Sequence, residues 1–347
     1  MPPGVDSAPG PGSPPSEGGD VRPNLSLLCL LAGVALTPMA RAAQPAAANG
    51  VFTLRLENDA LNGTDRYYTA GEHLGWTSAP GQVPDGLAAL ARRLWGPGRQ
   101  RIALGLTQLL FTPENTQIIP PNPHDRPYAG LLLAGASLIE DNAHTRNVLG
   151  LDLGVIGPAA LGADVQNGFH TVLGETTTSG WSAQLPNQPV VELTGQRLWR
   201  LPLARPGRFE IDAVPEVAVG LGTWRIYAET GAVLRFGQGL DADFGAPRNR
   251  PGLSGDDAYT PTRRISWYVF VGVDGQAVGW DETLNGEPFR ATRHVTLQPL
   301  LGEVEAGVSV IAFGVRASFV HVVQTQSFRH QRGGLFQYDS ATISIPF

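Results

Sequence analysis

From about residue 50 to its end the chain alternates. In the stretches 264–274, 303–311 and 315–325, residues of one parity are mainly large and apolar, while the other parity carries Ser, Gly, Arg, His and Gln. Successive side chains of a strand point to opposite faces, so this period of two predicts strands with one apolar and one polar face. About twelve such segments of roughly ten residues, separated by clusters of Gly, Pro, Asn and Asp, lie between Val51 and Phe347. That pattern belongs to a β-barrel or a β-sandwich. Two stretches break it. Positions 85–95 (DGLAALARRLW) have helical spacing, with Leu87, Leu90, Ala91 and Leu94 on one face, and predict a short helix beside the strands. Positions 162–173 (GADVQNGFHTVL) read as helical or irregular and set Gln166 and His170 four residues apart on one face.

The two ends of the chain favour the barrel. Residues 1–23 are rich in Pro, Gly and Ser and predict a disordered leader. Arg22, a mostly apolar stretch over 25–36 and Ala40-Arg41-Ala42 follow as the parts of a secretory signal peptide, with cleavage expected after Ala42. The apolar stretch falls short of the ~20 residues a spanning helix needs. The only cysteine, Cys29, lies within it, so the mature chain is expected to contain none. At the other end the alternating segment 338–347 stops on Phe347, which resembles the address by which outer-membrane barrels are handed to their assembly machinery. The expected architecture is therefore all-β: residues 1–42 as leader and signal peptide, and 43–347 as an antiparallel transmembrane β-barrel of about 12 strands, with short helical segments in loops, in the bacterial outer membrane. Tyr67, Tyr68, Tyr128, Trp76, Trp224, Trp267 and Trp280 are candidates for its aromatic girdles.

Composition narrows the chemistry. The formal net charge is −6, 16% of residues are charged and no block of like charges occurs, which argues against a nucleic-acid partner. All 25 basic residues are Arg, so any mechanism needing a lysine amine is excluded and an anionic ligand must be met by Arg. No G-x-S-x-G, S-x-x-K or H-E-x-x-H motif occurs, which leaves direct attack by an activated water as the chemistry the remaining side chains suit.

Three polar clusters stand out. Glu57-Asn58-Asp59 closes the first strand, and Thr64 to Gly71 opens the second, so a hairpin brings Asn58, Asp59 and Thr69 together. The cluster reads as an Asx-rich turn, as an oxygen-rich site for a hard cation such as calcium, or as a carboxylate that orients a catalytic group; the EF-hand spacing is missing. His124 to Gly130 places Asp125 and Arg126 at a strand entry marked by Pro127, where a turn role or a place in the polar interior both fit. Gln166 and His170 precede Gly180-Trp181 and Gln184, and His170 is the best placed of seven histidines to act as a base. His73 and His321 read as strand positions.

In this order the clusters, together with Thr112-Pro113-Glu114-Asn115, Ile156-Gly157-Pro158 and Leu284-Asn285-Gly286, resemble the family of outer-membrane lipid A 3'-O-deacylases over most of residues 50–347. The resemblance implies a twelve-stranded barrel and calcium-dependent hydrolysis of the 3' acyloxyacyl ester of lipid A at a site on the barrel wall. It implies His170 as general base toward water, Asp59 orienting His170 or holding calcium, and Asn58 and Thr69 binding metal or oxyanion. Arg66, Arg126 and Gln166 are the expected substrate contacts, with Arg66 or Arg126 standing in for a site lysine of the family. Glu175 is the candidate for a missing acidic residue and joins Asp59 and Asn58 in the expected metal set. The implied partners are lipopolysaccharide, outer-membrane lipids and, through Phe347, the assembly machinery. A phospholipid esterase and a non-enzymatic channel or adhesin are the competing readings.

Overall fold

The computed structural model describes residues 50–59, 63–249 and 257–347; the expected leader, signal peptide and cleavage site lie outside them. Along the chain run β1 (Val51–Asn58), β2 (Tyr67–Thr77), α1 (Asp85–Trp95), β3 (Arg99–Thr112), β4 (Ala129–Asp141), β5 (Thr145–Ile156), α2 (Gly162–Leu173), β6 (Gln188–Trp199), β7 (Leu201–Ala204), β8 (Glu210–Gly222), β9 (Arg225–Gln238), β10 (Ile265–Asp281), α3 (Glu282–Asn285), β11 (Leu300–Ala312), β12 (Val315–Gln324) and β13 (Phe336–Pro346). Each long strand pairs antiparallel with its chain neighbours, β6 pairs with β8, and β1 pairs with β13 from Val51↔Pro346 to Asn58↔Asp339. The short β7 only extends the edge of β8, so twelve strands close into a barrel. Closure leaves no open edge to the sheet, as a lipid surround requires. No helix among the described residues is long and apolar enough to cross a membrane; the crossing is made by strands.

The alternation read from the sequence is inverted relative to a water-soluble sheet. Leu74, Leu106, Leu153, Leu193, Val219, Val271 and Val304 point outward and are 49–58% exposed. Such a continuous apolar belt suits acyl chains and not water. Inward positions carry Arg55, Glu57, His73, Asp274, Glu303, Glu305 and Arg316, all buried. Their charges are compensated in pairs: Arg235 is held by Asp212 at 2.6 Å and Asp243 at 2.7 Å, and Arg248 by Glu303 at 2.7 Å and Glu305 at 2.9 Å. The β9–β10 connection contributes to this network, since Arg248, Asn249 and Asp257 reach inward groups: Asn249 N–H donates to Glu57, and Asp257 pairs with Arg55 and His73. The described residues on either side of that connection thus reach into the lumen.

The start of β1 and the end of β13 lie at one rim, and the longer loops mostly at the other. Phe347 stacks on Phe52 at 4.7 Å between ring centroids, sealing the seam where the last strand meets the first. The girdle expectation is partly corrected. Trp76, Trp267 and Trp280 sit half-buried on the wall, whereas Tyr67, Tyr128 and Trp224 are fully buried and Tyr68 turns inward to donate to Glu57 at 2.7 Å. Two consecutive inward tyrosines break strict alternation, and the register shift between Tyr68 and Ala70 shows how: Thr69 is the extra residue of a β-bulge.

Candidate active site

Beyond that bulge, the outward face of the distal wall is covered. Ala70, Leu110, Tyr128 and Trp181 form a small apolar cluster outside the barrel, and α2 packs on it through Ala163 and Val165. The helix approaches closely because glycines face each other there: a Cβ on Gly130 would lie 3.3 Å from Gly162 Cα, and one on Gly162 would lie 2.9 Å from both Leu110 Cδ2 and the Trp181 ring. Gly162→Val is therefore expected to leave the barrel folded, by heat-modifiable gel migration, while lowering any activity of this site about 100-fold, because a lifted α2 misplaces the side chains it carries.

Those side chains are Gln166 and His170, on one face as the spacing predicts, and both buried against the wall. Gly174, at φ 73°, ends the helix, and the following Glu175 N–H returns to the His170 carbonyl at 2.8 Å. This turn folds residues 175 and 176 back over the imidazole. His170 Nδ1 lies 2.7 Å from the Thr176 carbonyl oxygen and must donate to it, which places the lone pair on Nε2. Facing Nε2 are two carboxylates, Asp65 at 3.7 Å and Glu175 at 3.9 Å. Both distances exceed a hydrogen bond, so the lone pair is not spent within the protein.

Asp65 is the residue that sequence reasoning passed over, although it stands inside the Thr64 to Gly71 cluster. Gln166 Nε2 donates to its Oδ1 at 2.8 Å, and Thr69 hydrogen-bonds it as well. Burial pushes the Asp65 carboxyl up and the adjacent His170 pulls it down, with a net rise. Gln166 in turn accepts from Trp181 Nε1 at 2.7 Å. Both ends of its amide are occupied, so Gln166 fixes Asp65 and does not face substrate. Thr69 and Thr112 share a hydrogen bond at 2.6 Å beneath the helix.

The expected pairing of Asp59 with His170 is not present. Asp59 is buried at the end of β1, where its Oδ2 accepts from Thr64 Oγ1 at 2.6 Å and from the Arg66 N–H at 2.9 Å. Its Oδ1 is buried with no hydrogen-bond partner among the described residues, and burial raises the carboxyl to about 8. The expected metal set Asn58, Asp59 and Glu175 is likewise not gathered, because Glu175 stands at His170. Among the described residues no three His, Cys, Asp or Glu side chains form a metal cage. What fits a hard cation is the orphaned Asp59 oxygen with the neighbouring Asn58, whose remaining ligands would come from outside the protein.

Arg66 and Arg126 part company. Arg66 lies at the distal rim over the Tyr67 ring, 3.4 Å from Glu114. Arg126 is buried inside the barrel over Phe111, 2.9 Å from Thr283 Oγ1, with burial lowering its guanidinium to about 10. It cannot reach a lipid outside the wall. Arg126→Leu is expected to leave KM for a lipid substrate within about two-fold of wild type, whereas loss of a charge-assisted contact by Arg66→Ala raises it several-fold.

Fold, outward belt and a His–carboxylate site on the outer wall define the class: a β-barrel protein of the bacterial outer membrane. A sequence model described as "Outer membrane protein LpxR" matches residues 25–347, and the chain belongs to that family. Among solved structures, LpxR from Salmonella typhimurium aligns with a TM-score of 0.71 at 22% identity, covering 86% of this chain and 100% of that one. The β domain of the Bordetella autotransporter BrkA covers 88% and 100% at 12% identity, with a TM-score of 0.40. No curated protein sequence matches the chain.

Proposed function

We propose that the protein hydrolyses the ester of the 3'-linked acyloxyacyl chain of lipid A in the outer leaflet, with His170 as general base. The observation that carries this reading is His170 itself, whose Nδ1 is bound to a carbonyl and whose Nε2 lone pair faces the outer wall between two carboxylates. Such an imidazole takes a proton from water as the water oxygen attacks the ester carbonyl carbon. Asp65 and Glu175 offset the imidazolium charge that forms, and Gln166 holds Asp65 in place. The proton on Nε2 then passes to the leaving alkoxide as the C–O bond breaks, giving a free acid and an alcohol. Thr69, which hydrogen-bonds Asp65, and Asn58, the register partner of the adjacent Ala70, are assigned to the developing oxyanion. Calcium, where bound, supplies positive charge against that oxyanion. Asp59 and Asn58 are the residues assigned to hold it. Phe347 is assigned to recognition by the assembly machinery, since it ends the strand that closes the barrel.

Purified protein incubated with lipopolysaccharide, with and without a calcium chelator, tests the reading by mass spectrometry of lipid A. Loss of an acyloxyacyl group in the untreated sample alone is the expected result. Unchanged lipid A would overturn it, and release of fatty acid from phospholipid instead would move the assignment to a phospholipid esterase.

A further inference from the structure

The outer wall carries one histidine–carboxylate pair that the proposed reaction does not use. His321 on β12 and Asp339 on β13 are cross-strand partners, and their side chains meet with Nδ1 2.8 Å from Asp339 Oδ1. Both point outward. Their neighbours Val320, Val322 and Tyr338 are buried in the core cluster inside the barrel, so alternation turns His321 and Asp339 to the lipid side. The other outward positions of β12 are Val315, Ala317, Phe319 and Val323, which makes the pair a polar exception on an apolar wall. An ionisable pair against lipid costs stability that an apolar pair avoids, so it needs a reason beyond folding.

Its position supplies one. Asp339 is also the register partner of Asn58, on β1, and Asn58 in turn pairs with Ala70 beside the bulged Thr69. His321, Asp339 and Asn58 therefore stand at one height on three successive strands, as a polar track that leaves the site sideways along the wall. With ~4.8 Å between strands, His321 lies about 10 Å from the Asn58 position. Asp339 is almost fully covered, while the imidazole is 38% exposed with Nδ1 directed at Asp339, so Nε2 is the atom presented outward.

We propose that the His321–Asp339 pair is a lateral subsite of the lipid site, binding a neutral hydrogen-bonding group, a hydroxyl or amide, on the second sugar of a disaccharide-sized glycolipid headgroup. This rests on the function proposed above and adds the residues that set headgroup size. The geometry selects a neutral group: His321 Nδ1 is taken up by Asp339, Nε2 offers a single hydrogen-bonding atom, and the carboxylate beside it disfavours a phosphate. The ~10 Å reach selects a disaccharide, because a single sugar held at the ester site ends short of His321.

The test uses full-length protein in detergent with the base removed (His170→Ala), so that bound lipid is not consumed. Binding of two probes is measured: a disaccharide lipid A and the matching acyloxyacylated monosaccharide. Adding His321→Leu with Asp339→Ile, which leaves an apolar wall and no unpaired charge, is expected to weaken disaccharide binding about 10-fold and leave monosaccharide binding unchanged. Equal effects on the two probes, or none on the disaccharide, would overturn the subsite. Heat-modifiable migration confirms that the variant is folded, and His321→Gln, which keeps a hydrogen-bonding group, is expected to restore part of the discrimination. Failure of the parent reading looks different: both probes bind as described, yet protein with His170 intact releases no acid from either.

Discussion

Replacement of His170 by alanine is expected to lower the rate of acyl release by about 10³-fold, with the barrel unchanged in heat-modifiable migration. The size of the loss follows from what the side chain does. Its Nδ1–H is committed to the Thr176 carbonyl, so a single tautomer places the basic lone pair outward, and no other histidine among the described residues shares that place. His170→Gln keeps a donor to Thr176 but no base, and is expected to be as inactive as alanine. Asp65→Asn separates positioning from chemistry. It keeps the size and one acceptor for Gln166 but removes the charge 3.7 Å from Nε2, so a loss in kcat of about 100-fold with little change in KM is expected. An Asp65→Asn enzyme with unchanged kcat would show that the carboxylate takes no part.

The second large effect concerns Asp59. Chelation is expected to abolish activity and added calcium to restore it, and Asp59→Ala is expected to be inactive at any calcium concentration tested. The pH dependence has a definite sign. Burial raises the Asp59 carboxyl to about 8, so near pH 7 it is mostly protonated unless a cation replaces the proton. A cation must displace that proton, and the affinity for calcium is expected to rise with pH from about 6 and to level off above about 8. Calcium titrations of activity at several pH values measure this. An affinity independent of pH between 6 and 8 would remove Asp59 from the metal site. Asp59→Asn, which keeps an oxygen but no titrating proton, is expected to bind calcium weakly and with a flat pH profile.

Much of the barrel was legible in the sequence for a local reason. Strand pattern depends on residues two apart, so stretches such as 265–281 announce themselves, and α1 and α2 lie where the helical spacing placed them. The direction of each face was not legible at Tyr67 and Tyr68, since one extra residue in β2 turns both inward and Thr69 outward. The girdle assignments of Tyr67, Tyr68 and Trp224 failed because these rings turn to the interior, and that of Tyr128 because its ring is covered outside the wall by Trp181 and α2. An aromatic residue near a strand end looks the same in the chain whether it meets lipid or the lumen.

The site was legible as a list of residues but not as a set of contacts. His170, Gln166, Thr69 and Asp59 are all buried, and the first three meet around Asp65. Which carboxylate serves the histidine was decided by the seating of α2 on Gly130, which brings Gln166 to Asp65 across about a hundred residues of chain. The turn at Gly174 decided where Glu175 goes, and it went to the base and not to Asp59.

The sequence by itself determined the antiparallel strands, the barrel, the two helices and the lysine-free set of side chains, because each depends on local period or on which functional groups exist at all. Only the tertiary structure decided that Asp65 faces His170, that Arg126 is inside the wall, that Asn249 and Asp257 reach Glu57 and Arg55 in the lumen, and that His321 and Asp339 share a height with Asn58. Those facts depend on strand register and on one helix packed across the wall, and both are set by contacts between residues far apart in the chain.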